Sequence, residues 1–246
     1  MGVGLSNRCG CFFIWQPLSR KVAMTNTPFI NPWRKLKPLY VLPEDFAAIA
    51  HHRNYSNLRL DMLPGQFIGG LNNAEVILLL LNPGFNEGDI TNDLQIPGYA
   101  NDIRLNHTDP YDSPFYPFNE GYEHTEIYKW WARILNPLIV AGVDLSVLRT
   151  KVMTVEYFPY HSVTYKHLPF VPSQQLAFDI VSKAIERNKI IVVMRSSNLW
   201  YEAVPGLESY EYKMMIKNRR QPYVSANNLG EANFEMIKNR ILGVEE

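Results

Sequence analysis

The chain has 246 residues, 46% of them hydrophobic and 13% aromatic, enough apolar material for a sizeable core, which excludes a mainly disordered polypeptide. That length suits one large domain as well as two small ones. Lysine plus arginine and aspartate plus glutamate both number 24, and a formal net charge of zero withholds the overall basic signature of a strong nucleic-acid binder, so any such binding has to come from a local patch.

In chain order, both cysteines, Cys9 and Cys11, come first, and nothing later can pair with them or complete a zinc site. The apolar stretch at 11–15 is shorter than the h-region of a signal peptide and has only Arg8 before it. Residues 1–23 are therefore expected to be a flexible leader, with a native start at Met24 and a single domain over 24–246. The longest aliphatic run, 76–81, is far short of the about 20 residues that span a bilayer, so no membrane partner is expected and the location is expected to be cytoplasmic.

A helix is predicted at 43–52, and from Glu75 onward apolar runs alternate with amphipathic stretches, the pattern of a parallel sheet covered by helices on both faces. Strands are predicted at 76–81, ended by Asn82-Pro83-Gly84; at 152–158, ended by Pro159; at 190–194, ended by Arg195-Ser196-Ser197; and at 222–225, ended by Asn227-Asn228-Leu229-Gly230. Between them, 125–135 carries Ile127, Trp130, Trp131, Ile134 and Leu135 at helical spacing until Asn136-Pro137 stops it. Ser173 is placed to cap a helix at 174–188, and 231–242 closes the chain with Phe234, Ile237, Ile241 and Leu242 on one stripe. The fold class expected is α/β, a three-layer sandwich around a four-stranded parallel sheet.

Charge is distributed unevenly. Residues 86–126 hold nine acids against Arg104 alone, a long stretch rich in Tyr, Phe and Pro that reads as an ordered, surface-packed loop, and the rest of the chain is correspondingly basic. Arg34, Lys35 and Lys37, and Lys213, Lys217, Arg219 and Arg220, are the two clusters able to contact phosphate; a solvated face is the plainer reading of the second.

Ligands of open parallel sheets bind beyond the carboxyl ends of the strands. That rule gathers 82–85, 156–162, 195–199 and 225–230 at one rim. His161 and Ser162 are adjacent on an extended segment and point to opposite faces, against a Ser/His dyad. His51 and His52 lack a carboxylate or cysteine at ligand spacing, so no metal is expected. The absence of a Gly-rich phosphate loop speaks against a dinucleotide or ATP, and no cofactor is expected.

A buried strand ending in Leu81-Asn82-Pro83-Gly84-Phe85 resembles the first motif of the uracil-DNA glycosylase superfamily, most nearly its mismatch-specific and single-strand-selective branches. Thr154-Val155-Glu156-Tyr157-Phe158-Pro159 is similar to the strand on which that family carries an Asn three residues before a Pro. Tyr223-Val224-Ser225, with Asn228 and Ala232-Asn233 after it, resembles the second motif, usually His-Pro-Ser. The resemblance covers residues 75–246 and implies hydrolysis of the N-glycosidic bond of a flipped-out base in DNA or a nucleotide-like ligand.

On that resemblance Asn82 holds the attacking water, since a neutral amide orients water without acting as a strong base. Pro83 and Gly84 shape the turn, Phe85 or one of Phe115 and Phe118 stacks on the base, and Ser225 contacts a phosphate or the leaving base. Two positions depart from the pattern. The motif-two His is replaced, leaving Asn227 or Asn228 to serve in its place; loss of such a donor typically costs about a hundred- to a thousandfold in rate, which implies a slow enzyme or an inactive binding module of the same fold. Glu156 stands where the family's base-reading Asn stands. As an ionised carboxylate it only accepts, and so is expected to prefer an amine-bearing or two-donor edge over uracil, unless it merely pairs with Arg195 or faces a solvated crevice.

Overall fold

A computed structural model describes residues 40–88 and 93–244. The expected leader and the cluster of Arg34, Lys35 and Lys37 lie outside the described residues. All the described residues fall within one compact unit, Asn31–Glu246. In chain order the elements are α1 (Pro43–Ile49), β1 (Leu58–Arg59), β2 (Phe67–Ile68), β3 (Val76–Leu80), α2 (Tyr99–Thr108), α3 (Glu126–Val140), α4 (Leu145–Lys151) and β4 (Val152–Glu156). They continue with β5 (His161–Ser162), α5 (Gln174–Glu186), β6 (Ile190–Val193), α6 (Ser197–Ala203), β7 (Lys213–Met215), α7 (Ala226–Leu229) and α8 (Glu231–Leu242).

The continuous aliphatic run of β3 is what a strand needs when both of its faces are covered, and all five of its residues are buried. It sits at the centre of a five-stranded sheet ordered β2-β4-β3-β6-β7, in which β4, β3, β6 and β7 are parallel and β2 adds an antiparallel edge. Side chains alternate between faces. Val76, Leu78 and Leu80 pack with Ile190, Val192 and Met194 against Trp131, Ile134, Leu135 and Leu138 of α3 and Phe234, Ile237 and Ile241 of α8. On the opposite face Ile77, Leu79, Met153, Val155, Ile191 and Val193 meet Ile180, Val181 and Ala184 of α5 and Trp200 of α6. The protein is thus α/β, with helices on both faces of a mostly parallel sheet.

The expected fourth strand at 222–225 is absent from the sheet. Its place is taken by β7, where Val192 pairs with Met214, and the Val224 amide instead donates to the Ile134 carbonyl of α3, 3.0 Å away. Nor does Pro137 stop α3. The helix runs three residues past it, because Leu138 is buried in the core and the Ala141 amide closes the last turn on the Pro137 carbonyl. β4 ends at Glu156 rather than 158, and α5 ends at Glu186.

Ser173 is not a cap. It has helical dihedrals, and its amide and hydroxyl both donate to the buried Asp45 carboxylate, as does the Tyr160 hydroxyl at 2.6 Å. This network ties α1 to the start of α5. Most of the acidic 86–126 stretch is also more than a loop, since it contains α2. α2 buries Tyr99 and Ile103 in the core on the α3 side and two polar residues beside them: Asn106 Oδ1 accepts from the Gly69 amide at 2.6 Å, and His107 Nε2 accepts from the Gln66 amide at 3.0 Å. Gly69 takes φ +90°, and a Cβ on Gly70 would lie 2.6 Å from the Tyr111 carbonyl oxygen, so the turn after β2 passes too close to this segment for any larger residue.

Candidate functional site

A cleft of about 910 Å³ opens at the carboxyl ends of β3, β4 and β6. Asn82, Pro83, Gly84 and Phe85 follow β3, Glu156 is the last residue of β4, and Arg195 follows β6; all six line it. Their convergence is a consequence of register. Parallel pairing sets Leu80 beside Glu156, so the residues just past β3 lie at the rim into which Glu156 opens. Trp130 and Ile127 of α3, with Tyr99 and Tyr116, form the facing wall.

Asn82 is held by its amide nitrogen. Nδ2 donates to the carbonyls of Pro83 (2.9 Å) and Tyr160 (3.2 Å) and to Ser162 Oγ (2.8 Å), whereas Oδ1 makes no hydrogen bond to a described residue. The anchor is β5, which the chain lays against the turn: the Ser162 amide donates to the Pro83 carbonyl, and His161 Nδ1 lies 2.5 Å from the Gly84 carbonyl. Burial holds the His161 pKa below its ordinary value, against the upward pull of the Gly84 and Leu63 carbonyls. The result is an amide whose donor end is fixed and whose acceptor end is available, the arrangement that orients a water molecule.

Glu156 is only 7% exposed, and its Oε2 is shut off from solvent with no hydrogen-bond partner. Residues at even positions of β4 face the α3 side, so the carboxyl emerges from the core cluster of Leu80, Met194 and Trp131. Burial pushes its pKa from 4.5 up to about 8, only partly offset by the positive charge of Arg195. Glu156 is therefore a neutral carboxylic acid at pH 7, with one O–H donor and one carbonyl acceptor. That differs from the ionised, acceptor-only group on which the expected preference for amine-bearing or two-donor edges rests. No ion pair joins Glu156 to Arg195, and half-buried Arg195 has no hydrogen-bond partner among the described residues.

Phe85 is half-buried, and one face of its ring is already covered by the Arg59 guanidinium at 3.7 Å, itself bound to Asp61 by two hydrogen bonds of 2.9 and 2.6 Å. Phe115 and Phe118 do not reach the cleft. They are buried core residues, Phe115 packed edge-on against Trp131 and Phe118 against Tyr128. Ser225, Asn227 and Asn228 do not line it either. Asn228 spends its amide on the carbonyls of Gln221 (2.8 Å) and Tyr223 (2.9 Å), closing the 217–228 turn, and Asn227 is exposed. Lys213 donates to the Glu208 carbonyl and sits over the Tyr201 ring; Lys217, Arg219 and Arg220 are exposed and outside the cleft.

Arg195 lines the cleft at the rim where 195–199 is expected, and α3 adds two cations not expected there, Lys129 and Arg133, with the Arg133 guanidinium 4.9 Å from the Trp130 ring. Helical spacing places Trp130 and Arg133 on one face, but that spacing alone does not say which face meets a cavity. Of the described acids in 86–126, Glu126 alone lines the cleft, and it is paired with Lys129 at 2.7 Å. The acidic stretch thus supplies a wall without filling the cleft with negative charge. Among the described residues no cluster of three or more His, Cys, Asp or Glu is arranged to hold a metal, and no single helix is long and apolar enough to cross a membrane.

The chain matches no protein-family model, no curated protein and no solved structure. Fold and cleft together define a class, an α/β protein with a crevice at the carboxyl rim of its mostly parallel sheet.

Proposed function

We propose that the chain is a divergent uracil-DNA glycosylase-like hydrolase that breaks the N-glycosidic bond of a base seated in this cleft, without metal or cofactor. The observation that carries this reading is the pairing of two unspent groups in one cavity: the Asn82 amide oxygen and the buried, unpartnered Glu156 carboxyl. The cleft volume lies at the upper end of the about 300–1,000 Å³ usual for small-molecule sites, room for a nucleotide rather than a base alone.

In the reaction the C1′–N bond breaks with its electron pair leaving on the base, the oxygen of water bonds to C1′, and the proton released from water ends on the base nitrogen. Asn82 Oδ1 accepts from the water and orients it. The Glu156 O–H donates to the leaving base, and Arg195, which has no hydrogen-bond partner among the described residues, offsets the negative charge that develops there. These two groups take the part that the resemblance assigned to Ser225 and Asn227 or Asn228. Trp130 with Arg133, and Phe85 backed by Arg59, flank the entrance as stacking surfaces beside positive charge, which suits a single-stranded or flipped-out nucleotide.

The test is release of free base from base-modified single- and double-stranded oligonucleotides, read as strand scission at the abasic product. Wild type is expected to give product, and Asn82→Ala to lower the rate at least about a hundredfold with binding retained. Binding that weakens steeply with salt, with no abasic product from wild type and Asn82→Ala alike, would instead assign the chain as a non-catalytic nucleic-acid-binding module. The displacement of 225–228 from the cleft is the observation that favours this second reading.

A further inference from the structure

The basic cluster after β7 stands at the same rim as the cleft, and strand register fixes how near. Val155, Leu79, Val193 and Met215 lie at one level across β4, β3, β6 and β7. Two residues further on, β3 leads to Leu81 and β6 to Arg195, both lining the cleft, and β7 leads to Lys217. The β6–β7 ladder holds one residue past the strands, through the Ile216 amide on the Val193 carbonyl at 3.3 Å. The chain therefore leaves the sheet one strand spacing, about 4.8 Å, from the strand that carries Arg195.

The turn that begins there spends its backbone internally. Asn218 Oδ1 accepts from the amides of Arg220 (3.1 Å) and Gln221 (3.3 Å), the Lys217 amide donates to the Asn228 carbonyl (3.1 Å), and the Asn218 amide donates to Asn228 Oδ1 (3.3 Å). The side chains of Lys217, Arg219 and Arg220 are left exposed, with no ion pair or side-chain hydrogen bond among the described residues. No acid occurs from Tyr212 to Gly230 to offset them. Like charges held this close repel, and an anion laid across them relieves the repulsion. Lys213 does not belong to the group: it is the first residue of β7, and its ammonium is engaged by the Glu208 carbonyl and the Tyr201 ring.

We propose that Lys217, Arg219 and Arg220 form a phosphate track that starts beside Arg195 and leads out of the cleft past the end of β7, and that the ligand is a single nucleic-acid strand rather than a free nucleotide. The inference rests on the hydrolase reading of the cleft and adds the class of its substrate. One nucleotide enters the cleft, and the phosphates of its neighbours lie along the track. A free nucleotide seated in the cleft has no phosphate to place on a turn outside it, whereas a strand carries an anion at every step. Trp130 and Phe85 at the cleft entrance offer ring faces to bases, which an acidic peptide does not have. A duplex fits less well, because its bases are stacked and paired and one must leave the stack to enter the cleft.

The experiment measures binding of the full-length protein to a labelled single-stranded oligothymidylate of about 12 nucleotides, by fluorescence anisotropy from about 50 to 300 mM NaCl. Each phosphate neutralised on a single strand contributes about 0.7 to the slope of log affinity against log salt. Lys217→Gln, Arg219→Gln and Arg220→Gln combined should therefore flatten the slope by about 2 and weaken binding about a hundredfold at about 0.1 M salt, the two lines meeting near 1 M. A charge-matched variant just before β4 and β6, at the opposite end of the sheet, combines Arg149→Gln, Lys151→Gln and Arg187→Gln and should keep the wild-type slope. Equal slopes in wild type and the turn variant, equal losses in the two variants, or no binding by wild type at the lowest salt would each overturn the proposal. Oligoglutamate displacing the strand as well as unlabelled oligothymidylate does would also overturn it, and would assign the turn to an acidic protein. Base release from a free nucleotide by wild type decides separately whether the hydrolase reading holds.

Discussion

Replacing Glu156 with glutamine should stabilise the protein, and by an amount that grows with pH. In the folded chain the carboxyl titrates near 8, whereas in the unfolded chain it titrates near 4.5. Between those values the native state holds a proton that the unfolded state has released, so stability falls as pH rises through this window and levels off above it. At about 1.4 kcal/mol for each pH interval of one, the full loss is about 5 kcal/mol, of which about 3 kcal/mol is reached by pH 7. That is a large share of the roughly 5–15 kcal/mol by which domains are stable. Glutamine fills the same volume and cannot ionise, so the gap between variant and wild type should be small at pH 5 and widest at pH 9. Urea unfolding of both proteins at matched pH values measures the gap, and all other titrations cancel in the difference. Two parallel stability profiles with a constant offset would show that Glu156 is already ionised in the fold, and would refute the reasoning.

Two further outcomes follow from the packing around the site. His107 is buried, with Nδ1 2.8 Å from the Ile103 carbonyl and Nε2 accepting from the Gln66 amide, and burial lowers its pKa to about 4. Its neutral form therefore adds stability that is complete above pH 6.5 and is lost as pH falls towards 4, about 3 kcal/mol in all; an imidazole resonance titrating near 6.5 in the native protein would contradict this. Trp200 is fully buried under the cleft and donates from Nε1 to the Leu80 carbonyl at 2.8 Å. Trp200→Phe removes the stronger of that carbonyl's two donors and leaves it the Tyr157 amide at 3.3 Å, so the lost hydrogen bond should cost about 0.5–1.5 kcal/mol in unfolding free energy, measured by urea unfolding.

What was legible in the sequence follows from what each element buries. β3 and β6 are unbroken aliphatic runs, and such runs identify central parallel strands without help from tertiary context, while β4 was legible from Val152, Met153 and Val155 despite Thr154 and Glu156. β7 escaped because Lys213-Met214-Met215 has no β-branched residue and buries only Met214, and β2 because two residues show no period. α2 was hidden for another reason. Of its four buried residues only Tyr99 and Ile103 are apolar, while Asn106 and His107 take backbone amides from the turn at 66–69 as partners, so hydropathy shows only half a stripe where there is in fact a core contact.

The same distinction divides the site. Asn82 and Glu156 were legible because the ends of adjacent parallel strands must meet, whichever helices cover them. The state of the Glu156 proton was not, since it depends on how closely α3 and the segment around Tyr116 roof the strand end. Phe115 and Phe118 illustrate the converse: an aromatic residue in a polar stretch is equally suited to stack on a base or to anchor its own segment, and here both anchor the segment against α3.

The displacement of the second motif has a structural cause that bears on chemistry. Once β7 occupies the sheet edge beside β6, the chain at 222–225 has no strand to join, and its Val224 amide is taken by α3. The following turn is then locked by Asn228, whose amide has no hydrogen left to donate to a ligand. On the hydrolase reading proposed above, a leaving-group donor would have to come from a strand end that does open into the cleft. Arg195, the second residue past the end of β6, lines the cleft, and Ser196 beside it holds a left-handed backbone at φ 54°, an uncommon conformation for a residue other than glycine. A fold that left Asn82 in place, moved the donor from the fourth strand to the third and put an acid where an amide is usual would retain the means to bind a base while changing which base it accepts.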